Sequence, residues 1–121
     1  MSKNIVIAED FGVSRKIIVS TLAKEGYSVL EAEDGLQASN FFDGRSIDLL
    51  ITDFNMPNMN GAELIQKVRQ NSHYEYMPIL LLTTEVREEK LKQAMDANIT
   101  AWIKKPFQTE AFLKIVKKAL R

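Results

Sequence analysis

The chain of 121 residues contains no cysteine, one histidine and one tryptophan. Without cysteine there can be no disulfide framework and no thiolate metal site, which fits an intracellular protein. The amino terminus, MSKNIVIAED, offers only a short apolar run before two acids. That run is too short for a signal-peptide core or a membrane span. Charge of one sign is not in excess either: lysine plus arginine and aspartate plus glutamate number 16 each. No general affinity for nucleic acid or for a membrane surface is implied. Internal repeats, low-complexity tracts and linkers are also missing. The expectation left by these exclusions is a soluble, cytoplasmic, monomeric domain.

What is present is a globular composition, 45% hydrophobic with 26% charged residues, long enough to build a core without staples. We expect one domain over residues 1–121 with no output domain after it. Four apolar runs have strand length: Ile5–Ala8, Leu49–Ile51, Ile79–Leu82 and Ala101–Ile103. Near-continuous hydrophobic runs belong to parallel strands covered on both faces. A fifth segment, Ser28–Ala32, alternates and suits a half-exposed edge strand. Helical spacing fills the intervals. One stripe holds Val13, Ile17 and Thr21, flanked by Ile18 and Leu22. Others hold Leu64, Ile65 and Val68, then Leu91, Ala94 and Met95, then Phe112, Ile115, Val116, Ala119 and Leu120. The weakest helical segment runs from Leu36 to Phe42. Gly26 and Asn98 suit left-handed positions after helices, and Pro78 suits the entry to a strand. Five βα repeats with crossovers of this length predict an open parallel sheet with five helices on its two faces.

In such sheets ligands bind beyond the carboxyl ends of the strands. The first strand leads into Glu9 and Asp10, the third into Asp53, the fourth into Thr83, Thr84 and Glu85, and the fifth into Lys104, Lys105 and Pro106. Taken singly, each has an ordinary explanation as a helix cap, a strand end or a solvated charge. Together they bring three acids, a hydroxyl and a lysine to one edge. Two carboxylates ~4 Å apart repel by about 4 kcal/mol at an effective dielectric near 20, so the cluster needs a counter-charge. Carboxylates, a carbonyl and waters suit Mg²⁺, with Mn²⁺ a plausible substitute, whereas zinc prefers histidine and cysteine. The pattern points to a metal-dependent phosphate site with an aspartate as nucleophile.

The ordered set Glu9-Asp10, Asp53-Phe-Asn-Met-Pro-Asn-Met-Asn-Gly61, Thr83 and Lys105-Pro106 resembles the receiver domain of two-component response regulators, over the whole chain. Its single-domain chemotaxis members are the most similar. The resemblance implies a flavodoxin-like sheet of strand order 2-1-3-4-5 and a chain that is no turnover enzyme beyond its own phosphorylation and dephosphorylation. It makes Asp53 the phosphoacceptor from a sensor histidine kinase. Asp10, Asp53 and the Asn55 carbonyl become Mg²⁺ ligands, with Glu9, where two aspartates are usual, acting through a metal-bound water. Thr83 and Lys105 would contact the phosphoryl group, and Thr83 with Trp102 would form the switch. A protein target would bind the fourth helix, fifth strand and fifth helix, including Trp102, Lys104, Lys90 and Lys117. That target is a flagellar switch or a phosphotransfer protein. Asn55 and Glu85 match the fast-dephosphorylating chemotaxis type, while Thr84 is larger than is common there. The Lys105–Pro106 bond is implied to be cis. Other classes fit less well: an aspartyl-phosphate phosphatase needs an acid where Asn55 stands, and a flavodoxin-like electron carrier needs a phosphate loop where Glu9 and Asp10 stand.

Overall fold

Apolar runs flanked by turn residues form the middle of a five-stranded parallel sheet. The computed structural model describes residues 2–84, 89, 92, 96 and 98–121. In chain order the strands are β1 (Asn4–Ala8), β2 (Ser28–Ala32), β3 (Leu49–Asp53), β4 (Ile79–Thr83) and β5 (Ala101–Lys104). The helices are α1 (Gly12–Lys24), α2 (Gly35–Ser39), α3 (Gly61–Arg69) and α4 (Thr109–Ala119), with a 3₁₀ turn at Ser72–Tyr74. A further helix was expected after β4. Glu89, Lys92 and Asp96 are helical, but the expected stripe of Leu91, Ala94 and Met95 lies outside the described residues, as do Glu85 and Lys90.

The spatial order is β2-β1-β3-β4-β5, all neighbours parallel. Because side chains alternate along a strand, each face collects its own core. Ile5, Ile7, Leu49, Ile51, Leu80 and Leu82 meet Ile18 and Leu22 of α1 and Phe112 and Val116 of α4. Val6, Ala8, Leu50, Ile79 and Leu81 meet Ala38 of α2 and Leu64, Ile65 and Val68 of α3. The chain passes from β1 outward to β2, then back across β1 to β3. That reversal opens a crevice at the carboxyl ends of β1 and β3. Among the described residues no helix is long and apolar enough to cross a membrane.

The stripe expected on α1 is only half right. Ile18 and Leu22 are buried, but Val13 and Ile17 are 61% and 60% exposed. Adjacent helical residues differ by ~100° in direction, and the side of α1 turned to the sheet is the one that carries Ile18 and Leu22. Arg15, three before Ile18, lies on the same side of the helix. Its guanidinium donates to the Glu9 carbonyl at 2.9 Å and to the Glu31 carboxylate at 3.0 Å. With this side anchored to the sheet, Val13 and Ile17 face outward. Elsewhere the expected punctuation is observed. Gly26 and Asn98 have φ of 89° and 62°, and the Lys105–Pro106 bond is cis.

Candidate functional site

Asp53 is the last residue of β3 and is buried with the rest of that strand. Its Oδ1 accepts the Phe54 backbone N–H at 3.0 Å. Its Oδ2 lies 3.1 Å from Nζ of Lys105. Glu9 follows β1 and is almost fully buried. Both of its carboxylate oxygens accept hydrogen bonds from Lys105 Nζ, at 3.0 and 3.2 Å. Asp10 is exposed beside it. Glu9, Asp10 and Asp53 each present an oxygen within 4.8 Å of the others. The acids expected from the strand ends therefore do converge.

Local backbone chemistry fixes these positions. The Glu9 N–H donates to the Ala32 carbonyl at 3.1 Å, and Arg15 holds the Glu9 carbonyl. After Asp53 a loop of residues 54–60 leads into α3, which starts close against the strand end. The Gly61 N–H donates to the Phe54 carbonyl at 2.7 Å. A Cβ on Gly61 would stand 2.3 Å from the Asp53 carbonyl oxygen, so only glycine allows the helix to start this close to the strand. Asn60 and Glu63 close a reciprocal capping box over that first turn, satisfying two otherwise orphaned N–H groups. Lys105 arrives from the other side. Its backbone N–H donates to the Thr83 carbonyl at 2.8 Å, which ties the lysine to the buried end of β4.

The electrostatics are those of an acid cluster short of positive charge. Burial first, then the hydrogen bond and charge of Asp53, push the Glu9 carboxyl up to about 7, against the opposing pull of Lys105. Burial works to lower the Lys105 ammonium, but Asp53 and Glu9 outweigh it and raise it above its ordinary value. One ammonium cannot balance three carboxylates at this spacing, where each pair repels by about 3 kcal/mol at an effective dielectric near 20. The donors are hard oxygens without an imidazole or thiolate among them. This set fits a hard divalent cation of the Mg²⁺ or Mn²⁺ kind and does not fit zinc.

The remaining expected residues are placed as follows. Thr83 is buried at the end of β4. Trp102 on β5 pairs in register with Leu81 and is 43% exposed. Asn55 is exposed two residues after Asp53, and Lys104 is exposed on β5. Lys117 of α4 is exposed and pairs with Glu25 at 2.9 Å. Three participants were not foreseen: Arg15, and the pair Asp34 and Asn58, joined at 2.7 Å, with Asn58 in the loop after Asp53. An aspartate followed by glycine at the start of a helix was a legible cap signal. Its reach to a loop 24 residues away was not.

The response regulator receiver domain model matches residues 5–117. The chain belongs to the response regulator receiver domain family. Similar receiver domains include chemotaxis protein CheY1 of Helicobacter pylori, 40% identical over 105 residues covering 85% of each chain. Another is CheY-3 of Vibrio cholerae, 35% identical over 117 residues, 94% of this chain and 89% of the relative. The solved structure of chemotaxis response regulator CheY4 of Vibrio cholerae superposes with a TM-score of 0.92 at 35% identity, covering 99% of this receiver domain and 100% of that one. A sensor-kinase receiver domain from Pseudomonas aeruginosa, at 22% identity and a TM-score of 0.90, shares the fold. It covers 98% of that chain and 99% of this one, and was solved with a magnesium ion coordinated in its active-site cleft. This receiver domain is thus of the CheY type, a signalling module and not a conventional enzyme.

Proposed function

We propose that this receiver domain is a phosphorylation-activated response regulator that accepts a phosphoryl group on Asp53 from a sensor histidine kinase. The observation that carries the reading is the placement of Asp53. It is a buried carboxylate with Lys105 Nζ at 3.1 Å and with Glu9 and Asp10 oxygens within 4.8 Å. Asp10, Asp53 and the Asn55 carbonyl would hold one Mg²⁺, with Glu9 acting through a water. The hard-oxygen donor set supports this, as does the magnesium in the Pseudomonas aeruginosa receiver. When bound, Mg²⁺ supplies the charge neutralisation that lets an anionic nucleophile meet an anionic phosphoryl group.

The protein's own groups then have defined work. An Asp53 carboxylate oxygen attacks phosphorus, forming an O–P bond as the N–P bond to the donor histidine breaks. The departing imidazole nitrogen keeps that electron pair and takes up a proton. The transition state is loose, so positioning and charge matter more than covalent chemistry. Asp53 is positioned by the Phe54 N–H and by the end of β3. Lys105, already pointed at Asp53, offsets the negative charge of the transferring group. Thr83 donates its hydroxyl to a phosphoryl oxygen. The product is an acyl phosphate, which water cleaves, so the signal decays. Asn55 and Glu85 tune that decay to seconds or minutes.

The output is a shift between two conformations, set by how differently they hold the phosphoryl group. Thr83 and Trp102 carry it from the site to β5. The target is a protein that binds β5, α4 and the helical segment after β4, in the cytoplasm. Chemotactic motor control is the favoured pathway, supported by the chemotaxis relatives at 35% and 40% identity.

Incubation with acetyl phosphate and Mg²⁺, followed by intact mass and Trp102 fluorescence, tests the reading. Wild type should gain one phosphoryl mass and Asp53→Asn none. Equal gain by both, or no gain by wild type, overturns it. Capture of a flagellar switch peptide rather than a histidine phosphotransfer domain would then favour chemotaxis over a phosphorelay.

A further inference from the structure

The loop between Asp53 and α3 carries Asn55, whose carbonyl the proposed Mg²⁺ site requires. Its two ends are secured by Phe54 and Asn60. The Gly61 N–H holds the Phe54 carbonyl, and Asn60 caps α3. Neither restraint reaches the outer bend, where Asn58 takes the left-handed conformation at φ 68°. A second element grips that bend. Asn58 Nδ2 donates to Asp34 Oδ2 at 2.7 Å. Asp34 precedes α2, and its other oxygen accepts the Gln37 N–H at 2.7 Å as the helix cap. The hydrogen bonds from Gln37 and then from Asn58 hold the Asp34 carboxyl below its ordinary range. It is therefore an anionic, charge-assisted acceptor at neutral pH. Next to it, a Cβ on Gly35 would stand 2.2 Å from the Met59 carbonyl oxygen. The first turn of α2 thus lies directly against the loop backbone. Between these contacts the Met59 N–H donates to the Pro57 carbonyl at 2.7 Å, so the bend is tight.

We propose that Asp34 and Asn58 form a clamp that positions the loop after Asp53, and with it the Asn55 carbonyl, for Mg²⁺ binding. The inference rests on the metal-dependent reading above. Neither residue touches the reacting atoms; both are positioning residues. Their part is to remove a freedom that the metal would otherwise have to remove on binding. Partners outside the ligand shell commonly change metal affinity by about 10-fold or more when removed.

The test separates the hydrogen bond from the cap and from the backbone conformation. Asn58→Gly keeps the left-handed residue and loses the donor. Asp34→Ser keeps a cap acceptor for Gln37 and loses the second oxygen. Asp34→Asn retains Oδ1 for the cap and offers an amide N–H, to which the Asn58 amide can turn its own oxygen. Mg²⁺ alone is titrated calorimetrically into each folded protein, with thermal melts alongside. Phosphorylation by acetyl phosphate is then followed as a function of Mg²⁺ concentration.

Asn58→Gly and Asp34→Ser should each weaken Mg²⁺ binding about tenfold. Combined, they should weaken it no further than either alone, because both remove one interaction. Asp34→Asn should bind Mg²⁺ nearly as wild type does. In the weakened variants the Mg²⁺ concentration for half-maximal phosphorylation should rise while the plateau rate stays. Wild-type affinity in both single variants overturns the clamp and leaves phosphorylation of Asp53 standing. Equal weakening by Asp34→Asn and Asp34→Ser also overturns it, since charge and not the hydrogen bond would then set affinity. A wild type that neither binds Mg²⁺ nor gains phosphoryl mass overturns the parent reading and the clamp together.

Discussion

β3 and β5 belong to one sheet, separated only by β4, yet they are built for opposite tasks. Every residue of Leu49–Asp53 is buried, and hydrogen-bonded neighbours flank the strand on both sides. Among the described residues β5 has a strand neighbour on one side only, and its burial runs from half-buried Ala101 through exposed Trp102 to buried Ile103 and exposed Lys104. The acid proposed as phosphoacceptor ends the buried strand, held by the Phe54 N–H and by Lys105. The aromatic assigned to the readout sits on the edge, where a side chain can change rotamer without opening a cavity. The proposed chemistry and the proposed output are thus divided between the buried centre and the exposed rim of one sheet, with Thr83 at the end of the strand between them.

The sharpest way to break this division is at the centre. Asp53→Asn should abolish phosphoryl gain while the fold persists. The new amide keeps an oxygen for the Phe54 N–H and relieves the repulsion with Glu9. Intact mass after acetyl phosphate treatment reads the outcome, and a phosphorylated variant would place the acceptor elsewhere. Three residues earlier on β3, Leu50 is fully buried in the face that meets α3. Leu50→Ala should cost about 2–5 kcal/mol in urea unfolding, the range for an unrelieved core cavity. A cost below 1 kcal/mol would mean that the centre is not packed as tightly as its burial implies.

The pH dependence examines the centre differently. In the folded chain Glu9 is raised from 4.5 to about 7, chiefly by burial and then by Asp53. The folded state therefore holds this proton to higher pH than the unfolded chain does. The contribution of this group to stability is fully present below 4.5 and is lost as pH rises through about 7. The shift corresponds to an effect on the order of 3 kcal/mol. Other carboxylates titrate in the same range, so the useful quantity is the difference from Glu9→Gln. Without Mg²⁺, the variant's stability advantage over wild type should grow between pH 5 and pH 8. A flat difference would show that Lys105 fully compensates the buried carboxylate.

Much of the central architecture was legible as pattern. Ile5–Ala8, Leu49–Ile51 and Ile79–Leu82 are buried strands, and the half-polar Ser28–Ala32 is an edge. Parallel pairing then forces the strand ends together, which is why Glu9, Asp10 and Asp53 could be named as one cluster. Pattern does not identify partners, however. Two apolar pairs on α1, Val13 with Ile17 and Ile18 with Leu22, share the same spacing of four. The buried pair is the one on the side where Arg15 reaches Glu9 and Glu31. The ion pair of Lys105 with Glu9 spans 96 positions. The bond from Asn58 to Asp34 joins a loop to a helix cap. Such contacts follow from how elements dock, and periodicity carries no record of docking.

At the rim the expected effect on stability is smallest. Trp102 is the single tryptophan and leaves 43% of its surface in solvent. Its removal strips apolar contact from one side only and creates no enclosed void. Trp102→Ala should therefore cost about 1 kcal/mol or less, nearer to a surface substitution than to the 2–5 kcal/mol of a core truncation. Urea unfolding followed by circular dichroism measures it, since the fluorescence reporter is lost with the residue. A cost equal to that of Leu50→Ala would mean that Trp102 is a structural anchor of β5. An anchor could not swing between rotamers without loosening the edge, and the proposed division between centre and rim would fail at the residue that defines it.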